Sequence, residues 1–323
     1  MEYASLGRTG LSVSRLCLGT MNFGPHTSEE DAGRIMEAAH DAGINFFDTA
    51  NVYGWQRGEG ITEQIIGRWF AGGGGRRERT VLATKLYGSM SDWPNDTFLS
   101  KRNIIRACEG SLRRLQSDWI DLYQMHHVDR NTPWEEIWEA METLVAAGKV
   151  LYVGSSNFAG WHIAQAQAAA APRHFLGLVS EQSLYNLLAR TVELEVLPAC
   201  QELGVGVLPW SPLQGGLLAG VLRKQAEGRS ASTRQQALLA EHRDAVTAYE
   251  SLCGELGHDP ADVGLAWLLQ QPGVTAPIVG PRTVEQLHGS LQALSVELGE
   301  DALERLDDIF PGPGGAAPEA YAW

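Results

Sequence analysis

The chain has 323 residues, 44% of them hydrophobic, and carries a formal net charge of −14. That size accommodates one barrel-type domain or two ordinary ones, and the acidic balance argues against nucleic acid or an anionic membrane surface as partner. Four scattered cysteines (Cys17, Cys108, Cys200, Cys253) show no metal-ligand or CxxC spacing, so they read as reduced intracellular thiols and not as a disulfide framework.

No apolar run approaches the ~20 residues of a membrane span. The opening MEYASLGRTG has no apolar signal core. The expectation is a soluble, cytoplasmic protein without a metal site.

In chain order, residues 2–13 read as a hairpin turning at Gly7-Arg8-Thr9-Gly10. A buried strand follows at 15–18, ended by Gly19-Thr20-Met21, then a helix from Ser28, with acids in its first turn, to Ala42-Gly43. The second strand is 44–48. A helix at 61–70 stops at the Gly72–Gly75 run, which resembles a phosphate cradle but reads as a connecting loop. Strand 79–85, the amphipathic helix 101–115, strand 119–126, helix 134–147 and strand 150–154 continue the alternation. It goes on through helix 160–171, strand 177–182, helix 193–203 and strand 205–210. Residues 211–238 read as a long Gly-, Ser- and Arg-bearing loop, a length that is usually functional or mobile. Helices at 241–256 and 260–270, a strand at 275–279, helices at 283–293 and 301–309 and a Pro- and Gly-rich tail complete the chain.

Eight strand-then-helix units without a dividing linker predict a single domain over 1–323. The fold expected is an α/β (β/α)8 TIM barrel with an N-terminal β-hairpin and extra C-terminal helices. An open doubly wound sheet is the alternative, disfavoured because Gly19–Gly24 is not GxGxxG.

In such a barrel the active groups sit at the carboxyl ends of the strands. Those ends carry Gly19-Thr20-Met21, Asp48, Lys85, His126, Ser155-Ser156-Asn157, Glu181-Gln182, Trp210-Ser211 and Gly280-Pro281-Arg282. Tyr53 follows Asp48 by five residues in DTANVYG. A carboxylate and a phenol at a strand mouth suit proton transfer. Taken singly, each of these polar residues is an ordinary surface charge or a local hydrogen bond; four at three successive strand ends are not.

With these residues in place, the chain resembles the aldo-keto reductases, in the manner of the bacterial members and of potassium-channel β subunits. The matching stretches span the chain: LGRTGLSVSRLCLGTMNFG at 6–24, INFFDTANVYG at 44–54, LATK at 82–85, SLRRLQSDWIDLYQMHH at 111–127, LVAAGKVLYVGSSNF at 144–158, SEQSLYNLL at 180–188, WSPLQGGLL at 210–218 and PIVGPRTVEQL at 277–287. The resemblance implies a catalytic tetrad of Asp48, Tyr53, Lys85 and His126. The chemistry agrees: a nearby Lys85 ammonium favours the phenolate of Tyr53, Asp48 holds Lys85 by a charge-assisted hydrogen bond, and Tyr53 protonates a carbonyl oxygen. Strand parity groups His126 with Ile120 and Leu122, facing the barrel interior; the resemblance places His127 where many relatives have Arg or another large residue, which implies that it helps line the pocket.

The resemblance further implies NADPH/NADP+ bound across the barrel mouth. Its nicotinamide end falls to Gly19, Thr20, Met21, Asp48, Ser156, Asn157 and Gln182, with Trp210 against the ring. Ser211, Pro212, Leu213 and Gly216 would pass the pyrophosphate. Gly280, Arg282, Gln286 and Ser290 would take the adenosine end, Arg282 by a bidentate contact with a 2′-phosphate beside a helix N-terminus. Ser290 stands where the family often has Asn. Phe23, Trp55, Tyr87, Trp93, His127 and the tail 321–323 are the expected pocket wall, Trp55 first among them, while Trp138 and Trp267 read as core. The substrate expected is a small-molecule carbonyl compound. Similarity to reductases of nucleotide-linked keto-deoxysugars, and a cofactor-sensing role like that of channel β subunits, are the alternatives.

Overall fold

In the computed structural model, residues 1–223 and 232–322 are described, apart from the side chains of Tyr321 and Ala322. Eight parallel strands form one sheet: β3 (Cys17–Gly19), β4 (Phe46–Asp48), β5 (Val81–Leu86), β6 (Ile120–Met125), β7 (Val150–Ser156), β8 (Leu178–Leu184), β9 (Gly206–Trp210) and β10 (Ile278–Val279). From β3 to β9 each pairs with its sequence neighbour, and β10 pairs with β3. A parallel bridge between Val207 and Val274, with Thr275 N donating to Val207 O at 2.8 Å, brings the two ends of the sheet together. The architecture is therefore the (β/α)8 barrel, and the open doubly wound alternative is excluded.

Side-chain alternation along the strands makes two cores. Phe46, Ala83, Leu122 and Leu208 pack inside the barrel with Cys17 and Ile278. Their neighbours Phe47, Leu82 and Tyr123 face outward, under the helices. The hairpin of β1 (Tyr3–Ser5) and β2 (Ser12–Ser14) contributes Leu6 and Val13 to the inner cluster. Trp138 and Trp267 are core residues, as their helical spacing implies.

Some of the outer helices begin at side-chain caps. Ser28 Oγ accepts from Asp31 N at 3.1 Å ahead of α1 (Glu29–Asp41). Ser100 caps α3 (Lys101–Leu115) after α2 (Ile61–Ala71). Then come α4 (Trp134–Ala146), α5 (Gly160–Ala170) and α6 (Val196–Leu203). Arg77, behind the Gly72–Gly75 run, is spent on Asp121 at 2.8 Å and on backbone carbonyls, and Arg79 donates to the carbonyls of Gly74 and Gly75. That run is a connection held by its own arginines.

Several boundaries differ from the sequence reading. The stretch read as loop 211–238 contains a 3₁₀ turn at Gln214–Gly216 and the start of α7 (Thr233–Glu241), capped by Ser232; residues 224–231 lie outside the described residues. A break at His242 separates α7 from α8 (Arg243–Leu256), so the helix expected from 241 starts later. The last strand is only two residues long because Val274 and Thr275 belong to the bridge. Beyond α9 (Pro260–Gln270), α10 (Val284–Leu291) and α11 (Glu300–Ile309), the tail ends in α12 (Glu319–Ala322).

All four cysteines are buried and free. Among the described residues, no helix is long and apolar enough to cross a membrane, and no group of three or more His, Cys, Asp or Glu is arranged to hold a metal ion.

Candidate active site

The inward parity that buries Phe46 also turns Asp48 into the barrel, and that of Ala83 turns in Lys85. The Lys85 ammonium is fully buried and uses its three donors on three acceptors: Asp48 Oδ1 at 2.6 Å, Thr49 O at 2.9 Å and Tyr53 Oη at 3.1 Å. Burial alone would lower the Lys85 pKa; the Asp48 carboxylate and Tyr53 more than offset it, so the pKa lies above the ordinary lysine value.

His126 follows β6 with Leu122 parity. Its ring stands edge-on to Tyr53, centroids 6.0 Å apart, and stacks on His127 at 5.7 Å. Burial, the Lys85 charge and His127 push the His126 pKa down to about 3, so the imidazole is neutral near pH 7. Burial also lowers the His127 pKa.

Asp48, Tyr53, His126 and His127 line a cavity of about 1220 Å³ that runs across the carboxyl ends of the strands. Each residue expected at the cofactor lines the same cavity: Gly19, Thr20, Met21, Ser156, Asn157, Gln182, Trp210, Ser211, Pro212, Leu213, Gly216, Gly280, Arg282, Gln286 and Ser290. Lys85 lies beneath it.

The middle of this cavity is cross-braced. Asn157, in a left-handed conformation at φ 59°, donates from Nδ2 to His126 O at 3.2 Å and to Ser156 Oγ at 2.9 Å. Its Oδ1 accepts from Trp210 Nε1 at 3.1 Å. Ser156 Oγ donates to Gln182 O at 2.8 Å. At the far end, Thr283 Oγ1 caps α10, Gln286 Oε1 accepts from Arg282 N at 2.8 Å and Ser290 Oγ donates to Gln286 O at 3.1 Å. The Arg282 guanidinium has no ion-pair partner among the described residues.

The expected pocket wall is less uniform. Trp55 is 62% exposed and stands outside the cavity lining, edge-on to His26, which belongs to it. Tyr87 packs on His127 and Phe98 and also lies outside the lining. Trp93 is 78% exposed. Phe23 is fully buried in the outer core and is no part of the wall. The side chains of Tyr321 and Trp323 lie outside the described residues.

Three contributors escaped the sequence reading. His26 sits on the loop after β3, where nothing but its strand-end position marks it. Gln124 has the same parity as His126 and could have been found by the argument that selected His126. Glu181 was noted at a strand end without a role. It is fully buried and holds the β7 turn by accepting from Ser155 Oγ at 2.5 Å, Ser183 Oγ at 2.7 Å and Phe158 N at 3.0 Å. Burial pushes its pKa up to about 7, against the pull of those hydrogen bonds.

Comparison with known proteins matches residues 15–310 to the aldo/keto reductase family. The chain is similar to the uncharacterized oxidoreductase YrpG of Bacillus subtilis (strain 168), 59% identical over the whole of both chains. It is 34% identical to a probable voltage-gated potassium channel subunit beta of Oryza sativa subsp. japonica, over 92% of each chain. Versiconal hemiacetal acetate reductase of Aspergillus parasiticus is 31% identical over 96% of this chain and 97% of that one.

Proposed function

The chain belongs to the aldo/keto reductase family, and from that premise we propose that it is an NADPH-dependent reductase of small aldehydes or ketones, with Tyr53 as proton donor. The observation that carries this reading is the Lys85 ammonium held between Asp48 and Tyr53 at the floor of a cavity that Tyr53 and His126 both line.

The donor set fits a nicotinamide cofactor. The N–H bonds of the Asn157 and Gln182 amides are engaged within the protein, and their carbonyl oxygens suit the amide NH2 of a nicotinamide; the Arg282 guanidinium, without an ion-pair partner among the described residues and beside the capped end of α10, suits a 2′-phosphate. When bound, the cofactor supplies the hydride. The protein's own part is to bring a proton to the carbonyl oxygen as negative charge develops there. Tyr53 Oη gives that proton, and Lys85, 3.1 Å away, stabilises the charge left on the phenol oxygen. Asp48 keeps the ammonium in place. Neutral His126 orients the carbonyl oxygen by hydrogen bonding and stays uncharged throughout.

A second reading, a cofactor-sensing subunit, is favoured by the likeness to plant proteins named as probable channel β subunits. Turnover separates the two. The test is to follow NADPH oxidation with aldehydes, ketones and nucleotide-linked keto sugars. Carbonyl-dependent oxidation supports the reductase, and the best substrate names its class. Tight NADPH binding without turnover on any of them favours the sensor.

A further inference from the structure

On its inward face, which Ile120 and Leu122 share, strand β6 carries one polar side chain that the proposed chemistry leaves unused. Gln124 is fully buried and lies level with Lys85 on β5 and with Gly154 on β7. A side chain at Gly154 would press on it, since a Cβ there would come within 3.2 Å of Gln124 Cγ. The barrel thus leaves room for a glutamine at this level. Gln124 is not part of the cavity lining and lies buried beneath it.

Its amide has two partners, and both belong to the site. Nε2 donates to Asp48 Oδ2 at 3.0 Å. Gln182 Nε2 donates to the same Asp48 oxygen at 2.8 Å and to Gln124 Oε1 at 3.3 Å. An amide nitrogen has two N–H bonds, so Gln182 spends both of its donors below the cavity floor. Only its carbonyl oxygen remains to face the cavity.

Asp48 alone would decide which end of the Gln182 amide points down, because turning it over would set a carbonyl oxygen against a carboxylate. One anchor does not fix the plane of the amide; a second acceptor does. Gln124 supplies that acceptor, and its own orientation is set by the N–H it gives to Asp48. The three side chains therefore determine one another.

We propose that Gln124 is a positioning residue that, with Asp48, locks the Gln182 amide so that its carbonyl oxygen is presented as a hydrogen-bond acceptor to the amide NH2 of a nicotinamide cofactor. This rests on the reading of the cavity as a nicotinamide cofactor site. A glutamine that merely filled the core would have no preference between the two ends of the cofactor; Gln124 acts on the nicotinamide end alone.

The test compares NADPH with adenosine 2′,5′-bisphosphate, which carries the adenosine end without the nicotinamide. In Gln124→Met the dissociation constant for NADPH rises about tenfold, as expected for one buried amide contact loosened, while that for the bisphosphate stays at the wild-type value. Gln182→Met shows the same selective loss, and adding Gln124→Met to it costs nothing more, because the two act through one contact. Should the methionine variant not fold, Gln124→Asn, which keeps the amide but withdraws it by one methylene, is read with the same two ligands. Unchanged NADPH affinity, equal weakening of both ligands, or additive losses in the double variant overturns the proposal and leaves the reductase reading standing. A wild-type protein that does not bind NADPH overturns both.

Discussion

Lys85 Nζ donates to Asp48 Oδ1 at 2.6 Å, and both side chains are shut away from solvent. A buried pair of this kind is weak evidence for stability, but breaking it by removing one partner leaves a buried charge uncompensated, at a typical cost of about 3–5 kcal/mol. Lys85→Met should therefore lose both turnover and a large part of the folding free energy, and Lys85→Met/Asp48→Asn should recover much of the stability without the activity. Denaturant titration of the three proteins checks this. Equal stability of wild type and Lys85→Met would contradict the account of the pair.

The pKa of His126, pushed down to about 3, sets the acid side of the pH profile. An ordinary histidine titrates near ~6.5, so a catalytic group that had to be neutral would give an acid limb there. Here protonation is deferred to far lower pH, and kcat/KM should show no limb near 6–7 that belongs to this residue. The same depression makes a contribution to folding that is complete above the unfolded value and is lost as pH falls towards 3. A wild-type limb near 6.5 that disappears in His126→Gln would show the imidazole titrating at its ordinary value and contradict the depression.

Glu181 gives the opposite sign. Its folded pKa of about 7 lies above the ordinary 4.5, so its contribution to stability is complete below 4.5 and is lost as pH rises through 7. The difference corresponds to about 3 kcal/mol. Between pH 5 and pH 8.5 the wild type should lose on that order more stability than Glu181→Gln, measured as unfolding free energy in urea. Parallel pH dependence in the two proteins would show that the buried carboxyl does not titrate as described.

Arg282 is the test of cofactor choice. Its guanidinium lacks an ion-pair partner among the described residues and lies on the cavity wall next to α10. Arg282→Ala should weaken NADPH by roughly tenfold to a hundredfold, the loss of one or two charge-assisted hydrogen bonds, and leave NADH unaffected. Measured kcat/KM for each cofactor decides it: equal use of both by the wild type would remove the 2′-phosphate role.

Much of this was legible in the sequence because strand ends in a barrel announce themselves. Asp48, Lys85 and His126 each close an apolar run, and the alternation of β6 placed His126 inward without a structure. The same rule reaches Gln124 only when it is carried one full pleat below the strand end. The wall of the pocket was harder to read. Trp55, Tyr87 and Trp93 belong to loops whose path is fixed by left-handed residues, among them Trp55 itself at φ 59° and Phe98 at φ 61°, and by Arg57, which donates to Ser89 Oγ at 2.6 Å. Periodicity says nothing about such turns, so Trp55, beside DTANVYG, is expected in the wall but stands outside the cavity lining, edge-on to His26. Likewise the apolar residues of α7 are run together and mark no buried face; of its nine residues only Leu239 is buried.

The most direct test of the central claim is Tyr53→Phe, which removes the phenol oxygen 3.1 Å from Lys85 and little else. With a carbonyl substrate that the wild type reduces, NADPH oxidation should fall by roughly 10²–10⁴-fold, the range for a general acid, while NADPH binding, read by titration, is retained. Turnover at the wild-type rate in Tyr53→Phe would contradict the assignment of Tyr53 as the proton donor.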